Sequence, residues 1–127
     1  MADTTSTIEQ AYRAFNTRDI DAALALMTSD VSWPKASEGG KVTGKDEIRD
    51  YWTRQWREFD PHVEPLIMTA EKENKTRVRV RQLVKSLQGD ILSDREVIHI
   101  FTLRSGLIAA MDLGGEADPA AAFVHRS

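Results

Sequence analysis

Hydrophobic residues recur at helical intervals in the first half of the chain and at alternate positions in the second. Ser6 and Glu9 have capping-box spacing, and Ile8, Ala11, Tyr12 and Phe15 then mark one helix face. Asn16 to Arg18 interrupts that helix. Asp19 is positioned to cap a second, whose apolar face is Ile20, Ala23, Leu24 and Met27. Val31-Ser32-Trp33 reads as a short strand stopped by Pro34, and residues 35–42, with Ser37, Gly39 and Gly40, as a loop. Thr43 and Asp46 resemble another cap pair. Ile48, Trp52, Trp56 and Phe59 are the buried stripe of a third helix, ended by Asp60-Pro61.

From His62 onward the period changes. Residues 62–73, 76–88, 91–104 and 107–113 read as strands, separated by turn signals at Asn74-Lys75, Gly89-Asp90 and Ser105-Gly106. Helices segregated from an antiparallel meander make an α+β layer fold. Asp118-Pro119 starts a short final helix through Phe123.

The second hairpin fixes which residues share a face. With Gly89-Asp90 as a two-residue loop, Val84 opposes Arg95, Gln82 opposes Val97, Val80 opposes His99 and Val78 opposes Phe101. These eight share a mostly apolar face that should point toward the helices. Gln82, Arg95 and His99 interrupt it, and inward polar groups need partners or water. Together they predict an internal cavity that is partly wet. The opposite face carries Arg77, Arg79 and Arg81 among acids, with Ile98 and Ile100. It reads as a solvated or subunit-facing surface, with Arg81–Glu96 as a diagonal ion pair.

Composition narrows the function. The 127 residues contain no cysteine, which excludes disulfide scaffolds, cysteine metal sites and thiol nucleophiles. Seventeen basic and 20 acidic residues give a net charge of −3, with no basic surplus for nucleic acid. No apolar run reaches membrane-span length, and MADTTSTIEQ lacks the basic start and apolar stretch of a signal peptide. The expectation is one soluble, cytoplasmic domain over 1–127. His62, His99 and His125 lack metal-ligand spacing, no GxSxG elbow is present, and the glycines fit no phosphate loop or dinucleotide fingerprint. No metal and no cofactor is expected.

Three stretches, AYRAFNTRDIDAALALM (11–27), VTGKDEIRDYW (42–52) and HIFTLRSGLIAAMD (99–112), carry a resemblance to the nuclear-transport-factor-two-like superfamily, and within it to the SnoaL-like small proteins. The resemblance implies a cone-shaped, curved, mainly antiparallel sheet wrapped around the N-terminal helices and enclosing a pocket. It also implies a homodimer through the outer sheet face. The superfamily hosts isomerases, dehydratases, hydrolases and cyclases, and binding modules without catalysis. The ketosteroid isomerase pattern puts Lys35 or a neighbour at the base position, Ala11 at the tyrosine position with Tyr12 one step off, and His99 at the neutral-acid position. The base is missing, so ordinary steroid isomerisation is rejected. A loop shift would be needed to bring Glu38 into that role.

His99 is the central candidate, as general acid or base or as a pocket-lining group bonded to Gln82, a carbonyl or water. A two-residue Ser105-Gly106 loop puts Asp112 opposite His99 and makes a catalytic dyad. A three-residue turn puts Met111 there and turns Asp112 outward, and the apolar face of Leu107, Ala109, Met111 and Leu113 favours that register. Trp33, Trp52, Gln82, Arg95, Val97 and Phe101 are expected to line a ligand site, although aromatics at helical spacing are commonly core. Tyr12 either presents its hydroxyl to the pocket or sits on the helix rim. Arg95 either binds an anionic group or pairs with an acid. His62 and Glu64 read as surface, and His125 as irrelevant. Two functions stay open. One is a small-molecule pocket protein with acid–base activity on an apolar oxygenated ligand. The other is a non-catalytic binding or dimerisation module.

Overall fold

The computed structural model describes residues 4–35, 39–72 and 74–114. The elements run α1 (Thr4–Asn16), α2 (Ile20–Leu24), β1 (Met27–Pro34), β2 (Lys41–Thr43), α3 (Lys45–Glu58), β3 (Phe59–Lys72), β4 (Lys75–Ser86), β5 (Ile91–Arg104) and β6 (Leu107–Leu113). Among the described residues, six strands form one sheet in the order β2-β1-β6-β5-β4-β3. All neighbours are antiparallel except β1 and β6. The helices lie in the first half of the chain and the β3–β6 meander follows, as the sequence predicts, with β1 and β2 set between α2 and α3. The final helix expected from Asp118, together with Glu38 and His125, lies outside the described residues.

The chain departs from expectation at element ends. The second helix stops at Leu24, and Met27 opens a strand that reaches Pro34. Residues 41–43, expected in a loop, pair with β1 as β2. The cap of α3 is Gly44 rather than Thr43, with φ of 92° and ψ of 158°, a conformation open to glycine alone. The Thr43 amide donates instead to the Glu47 carboxylate at 2.9 Å, so an acid in the first turn still holds the helix start. Asn16, expected only as a break, joins α1 to the sheet. Its side chain donates to the Val63 carbonyl at 2.8 Å and accepts from the Val63 amide at 2.9 Å. It thus stands in for a neighbouring strand along edge strand β3. The prolines of β3, Pro61 and Pro65, are tolerated because that edge needs no further ladder bonds.

The β4–β5 register differs from the expected one by two residues. Val78 opposes His99, Val80 opposes Val97 and Gln82 opposes Arg95. The loop is longer than two residues and an extra residue, Leu92, bulges from β5. An even slip keeps every side chain on its face. Val78, Val80 and Phe101 are therefore buried under the helices as predicted, in one core with Ile8, Ile48 and Trp52. Burial then declines along both strands toward the hairpin, through Gln82, Val84, Val97 and Arg95.

The β5–β6 hairpin has the two-residue loop. Ser105 and Gly106 both have positive φ, at 54° and 81°, the geometry of a tight primed turn. Arg104 opposes Leu107 and Leu103 opposes Ile108, but Ala109 then bulges and Thr102 opposes Ala110. This single-residue shift carries His99 opposite Leu113, and Asp112 opposite Ile100. Neither register weighed from the sequence holds along the whole hairpin.

Candidate functional site

Between the helices and the inner sheet face lies a cavity of about 80 Å³. Helix α1 contributes Ala11, Tyr12 and Phe15, one apolar stripe at helical spacing. Helix α3 contributes Tyr51, Trp52 and Gln55, and β1 contributes Trp33 and Pro34. The sheet floor is Gln82, His99, Phe101 and Met111, with Val63 and Leu113 toward the edges. Leu113 is 51% exposed, so the cavity reaches the surface beside it. The ring of Trp52 meets Phe15 and Trp33 edge-on, at centroid distances of 5.1 and 5.6 Å. These contacts make the wall rigid as well as apolar.

One polar pair stands inside this wall. The Tyr12 hydroxyl and His99 Nδ1 are 2.8 Å apart, and both residues are buried, at 6% and 7% exposure. Burial pushes the Tyr12 phenol well above its ordinary value and lowers His99 from 6.5 to about 4. Both groups are therefore neutral at pH 7. Neither makes another hydrogen bond among the described residues. The arrangement that leaves fewest polar atoms unsatisfied has the phenol donating to Nδ1, which puts the ring proton on Nε2. His99 is then a neutral N–H donor in an aromatic cavity. Neutral imidazole polarises a carbonyl oxygen in this way, whereas a pKa near 4 makes the ring a weak base at pH 7.

The structure brings together Tyr12, Trp33, Trp52, Gln82, His99 and Phe101 of the residues expected at the site. It separates three others. Asp112 turns to the outer face and bonds Lys41 Nζ at 2.5 Å, because the bulge at Ala109 reverses its direction; the His99–Asp112 dyad does not form. Arg95 sits opposite Gln82, and Val97 packs on the core margin; neither lines the cavity, because helix cover thins toward that hairpin. His62, read as surface, lies near Asp60, with Nε2 3.1 Å from its carboxylate, and outside the cavity wall. Tyr51 and Gln55 were not anticipated as lining. A signal existed, since Gln55 is a polar residue on the face set by Ile48, Tyr51 and Trp52, as Gln82 is on its strand. Among the described residues no cluster of acidic, histidine or cysteine side chains could hold a metal, and no helix is long and apolar enough to cross a membrane.

Comparison with known proteins settles the family. The SnoaL-like domain matches residues 8–111. The chain belongs to the SnoaL-like family. No curated protein matches it by sequence. Solved structures share the SnoaL-like fold. TerC co-crystallised with polyporic acid has a TM-score of 0.77 at 23% identity, over 96% of this chain and 95% of that one. An NTF2-like protein of unknown function from Burkholderia pseudomallei has a TM-score of 0.78 at 20% identity, over 98% and 97%. A Mycobacterium tuberculosis protein in complex with estradiol-17beta-hemisuccinate has a TM-score of 0.73 at 16% identity, over 84% and 88%. The helices and the six-stranded, mostly antiparallel sheet are accordingly the curved cone of that fold.

Proposed function

We propose that this SnoaL-like protein binds a small apolar molecule and holds one of its oxygens on the Tyr12–His99 pair. The carrying observation is the 2.8 Å bond between two buried, neutral groups in an aromatic cavity, with one ring N–H left to donate. The amides of Gln55 and Gln82, on opposite walls, supply further contacts for a second oxygen. Two of the structural neighbours were crystallised with small organic molecules, which agrees with this reading.

Acid–base catalysis at His99 is the second reading. The imidazole's place in the cavity favours it, because the Nε2 proton would stabilise negative charge developing on a bound carbonyl. The lowered pKa weighs against His99 as the base, and no carboxylate lines the cavity among the described residues. Binding is therefore placed first. A homodimer through the outer sheet face completes the proposal; Ile67, well exposed beside the paired arginines of β4, supports it.

Native mass spectrometry with a panel of aryl ketones and alcohols tests both parts. The expected result is a dimer that retains a ligand, and a His99→Ala variant that still folds, at a lowered melting temperature, but retains none. Undiminished retention by His99→Ala, with a lowered melt, would reduce His99 to a structural group.

A further inference from the structure

The described cavity wall has fourteen residues, and none is aspartate, glutamate, lysine or arginine. Its polar members are Tyr12, Tyr51, Gln55, Gln82 and His99. Among the described residues, charged side chains on neighbouring elements stay out of this wall. Asp112 is held by Lys41 on the outer face, Arg18 is bonded to Asp60, and Arg95 lies outside the wall. His99 itself stays neutral down to about pH 4 because of its burial.

Resting on the binding function proposed above, we infer that the cavity admits its ligand only in uncharged form: a flat aryl ketone or alcohol enters, and the same skeleton bearing a carboxylate or an amidinium does not. A neutral carbonyl loses a few water contacts on entry and regains them from the His99 N–H and a glutamine amide. An ion loses far more hydration and meets no opposite charge on the described wall. Aromatic faces attract cations, but here the rings already engage one another. Trp33 stands edge-on to Trp52 at 81°, and Tyr12 to Phe101 at 86°. The lack of charge on the described wall is therefore a selecting feature beside the cavity's size.

Three probes of equal size and planarity separate charge from shape: acetophenone, benzoate and benzamidinium. Each is titrated into the intact protein at pH 7 with the 15N shift of His99 Nε2 as readout, which locates binding to this cavity. Acetophenone should bind about tenfold or more tighter than either ion. Gln55→Lys, which adds a cation to the cavity-facing side of α3, should raise benzoate affinity relative to acetophenone by a similar factor. Benzoate or benzamidinium binding as tightly as acetophenone to the wild type overturns the inference and leaves the binding function intact. A folded Gln55→Lys with no gain for benzoate also counts against it. Failure of all three probes to move the His99 signal overturns the binding function itself.

Discussion

The two faces of the sheet are built from the same strands and hold their polar groups by opposite means. On the inner face, Tyr12 and His99 share one buried hydrogen bond, in a cavity whose described wall carries no charged side chain. On the outer face, arginines alternate with the buried valines of β4. Arg79 bonds Glu96 at 2.6 Å, Arg81 bonds Asp94 through two nitrogens, and Arg77 lies 3.7 Å from Glu71. The outer pairs are numerous and wet, so each loses little when broken. The inner pair is buried, so its protonation state alone carries a large free energy. A count of polar contacts would rank these faces in the wrong order.

The largest effect that can test this contrast lies in the aromatic wall around the inner pair. Trp52 is almost fully buried between Phe15, Trp33 and Trp56. Trp52→Ala should cost about 3–5 kcal/mol of stability by urea denaturation. It should also raise the His99 pKa toward its ordinary value, as water enters the cavity. A stable variant with an unchanged histidine titration would mean that the wall does not set the electrostatics of the pair.

Acid comes next. An unfolded chain protonates His99 below its ordinary 6.5, the folded chain only below about 4. Between those values unfolding takes up a proton. Stability from this group is thus complete above 6.5 and is lost as the pH falls toward 4. The loss amounts to about 3 kcal/mol, since one pKa unit is worth about 1.4. Urea midpoints at pH 7.5 and 4.5 for the wild type and His99→Gln isolate it, because subtraction removes the other titrating groups. Parallel pH profiles for the two proteins would show that the folded ring takes up its proton over the same range as the unfolded chain, so that burial does not set its charge state.

Both faces were legible in the sequence to the extent that parity survives errors of register. Gln82 and His99 were placed inward from a hairpin register wrong by two residues. The longer loop and the bulge at Leu92 sum to an even slip, so the face assignment stood. Asp112 shows the complementary case. The sequence leaves two registers open and favours a three-residue turn with Asp112 outward; the loop has two residues, and the one-residue bulge at Ala109 turns Asp112 outward all the same. Nothing in the run Leu107-Ile108-Ala109-Ala110-Met111 marks which residue bulges, because the parallel neighbour β1 also shifts register there. The partner of His99 was hidden differently. Tyr12 lies 87 positions away, and only the angle at which α1 crosses the sheet decides whether its hydroxyl reaches the ring. Short-range periodicity contains no such angle.

The smallest effect belongs to the outer face, at Arg81 and Asp94. This pair has the best geometry of the outer row, with Nε and Nη2 at 2.9 and 2.7 Å from the two carboxylate oxygens. The hydrogen bond from Arg81 lowers the Asp94 pKa, so any stability it gives is present above the unfolded value and lost as pH falls through the folded one. Both side chains stay well hydrated, however, and the guanidinium must be held in a single rotamer to make the fork. Asp94→Asn should therefore move the urea midpoint by no more than the scatter between repeats, and 1 M salt should erase what difference remains. The double-mutant cycle with Arg81→Gln removes the trivial effects of each substitution alone. A coupling comparable with the acid effect at His99, persisting in high salt, would make the outer row a cooperative network. The contrast between the faces would then lie in their chemistry and no longer in their energetic weight.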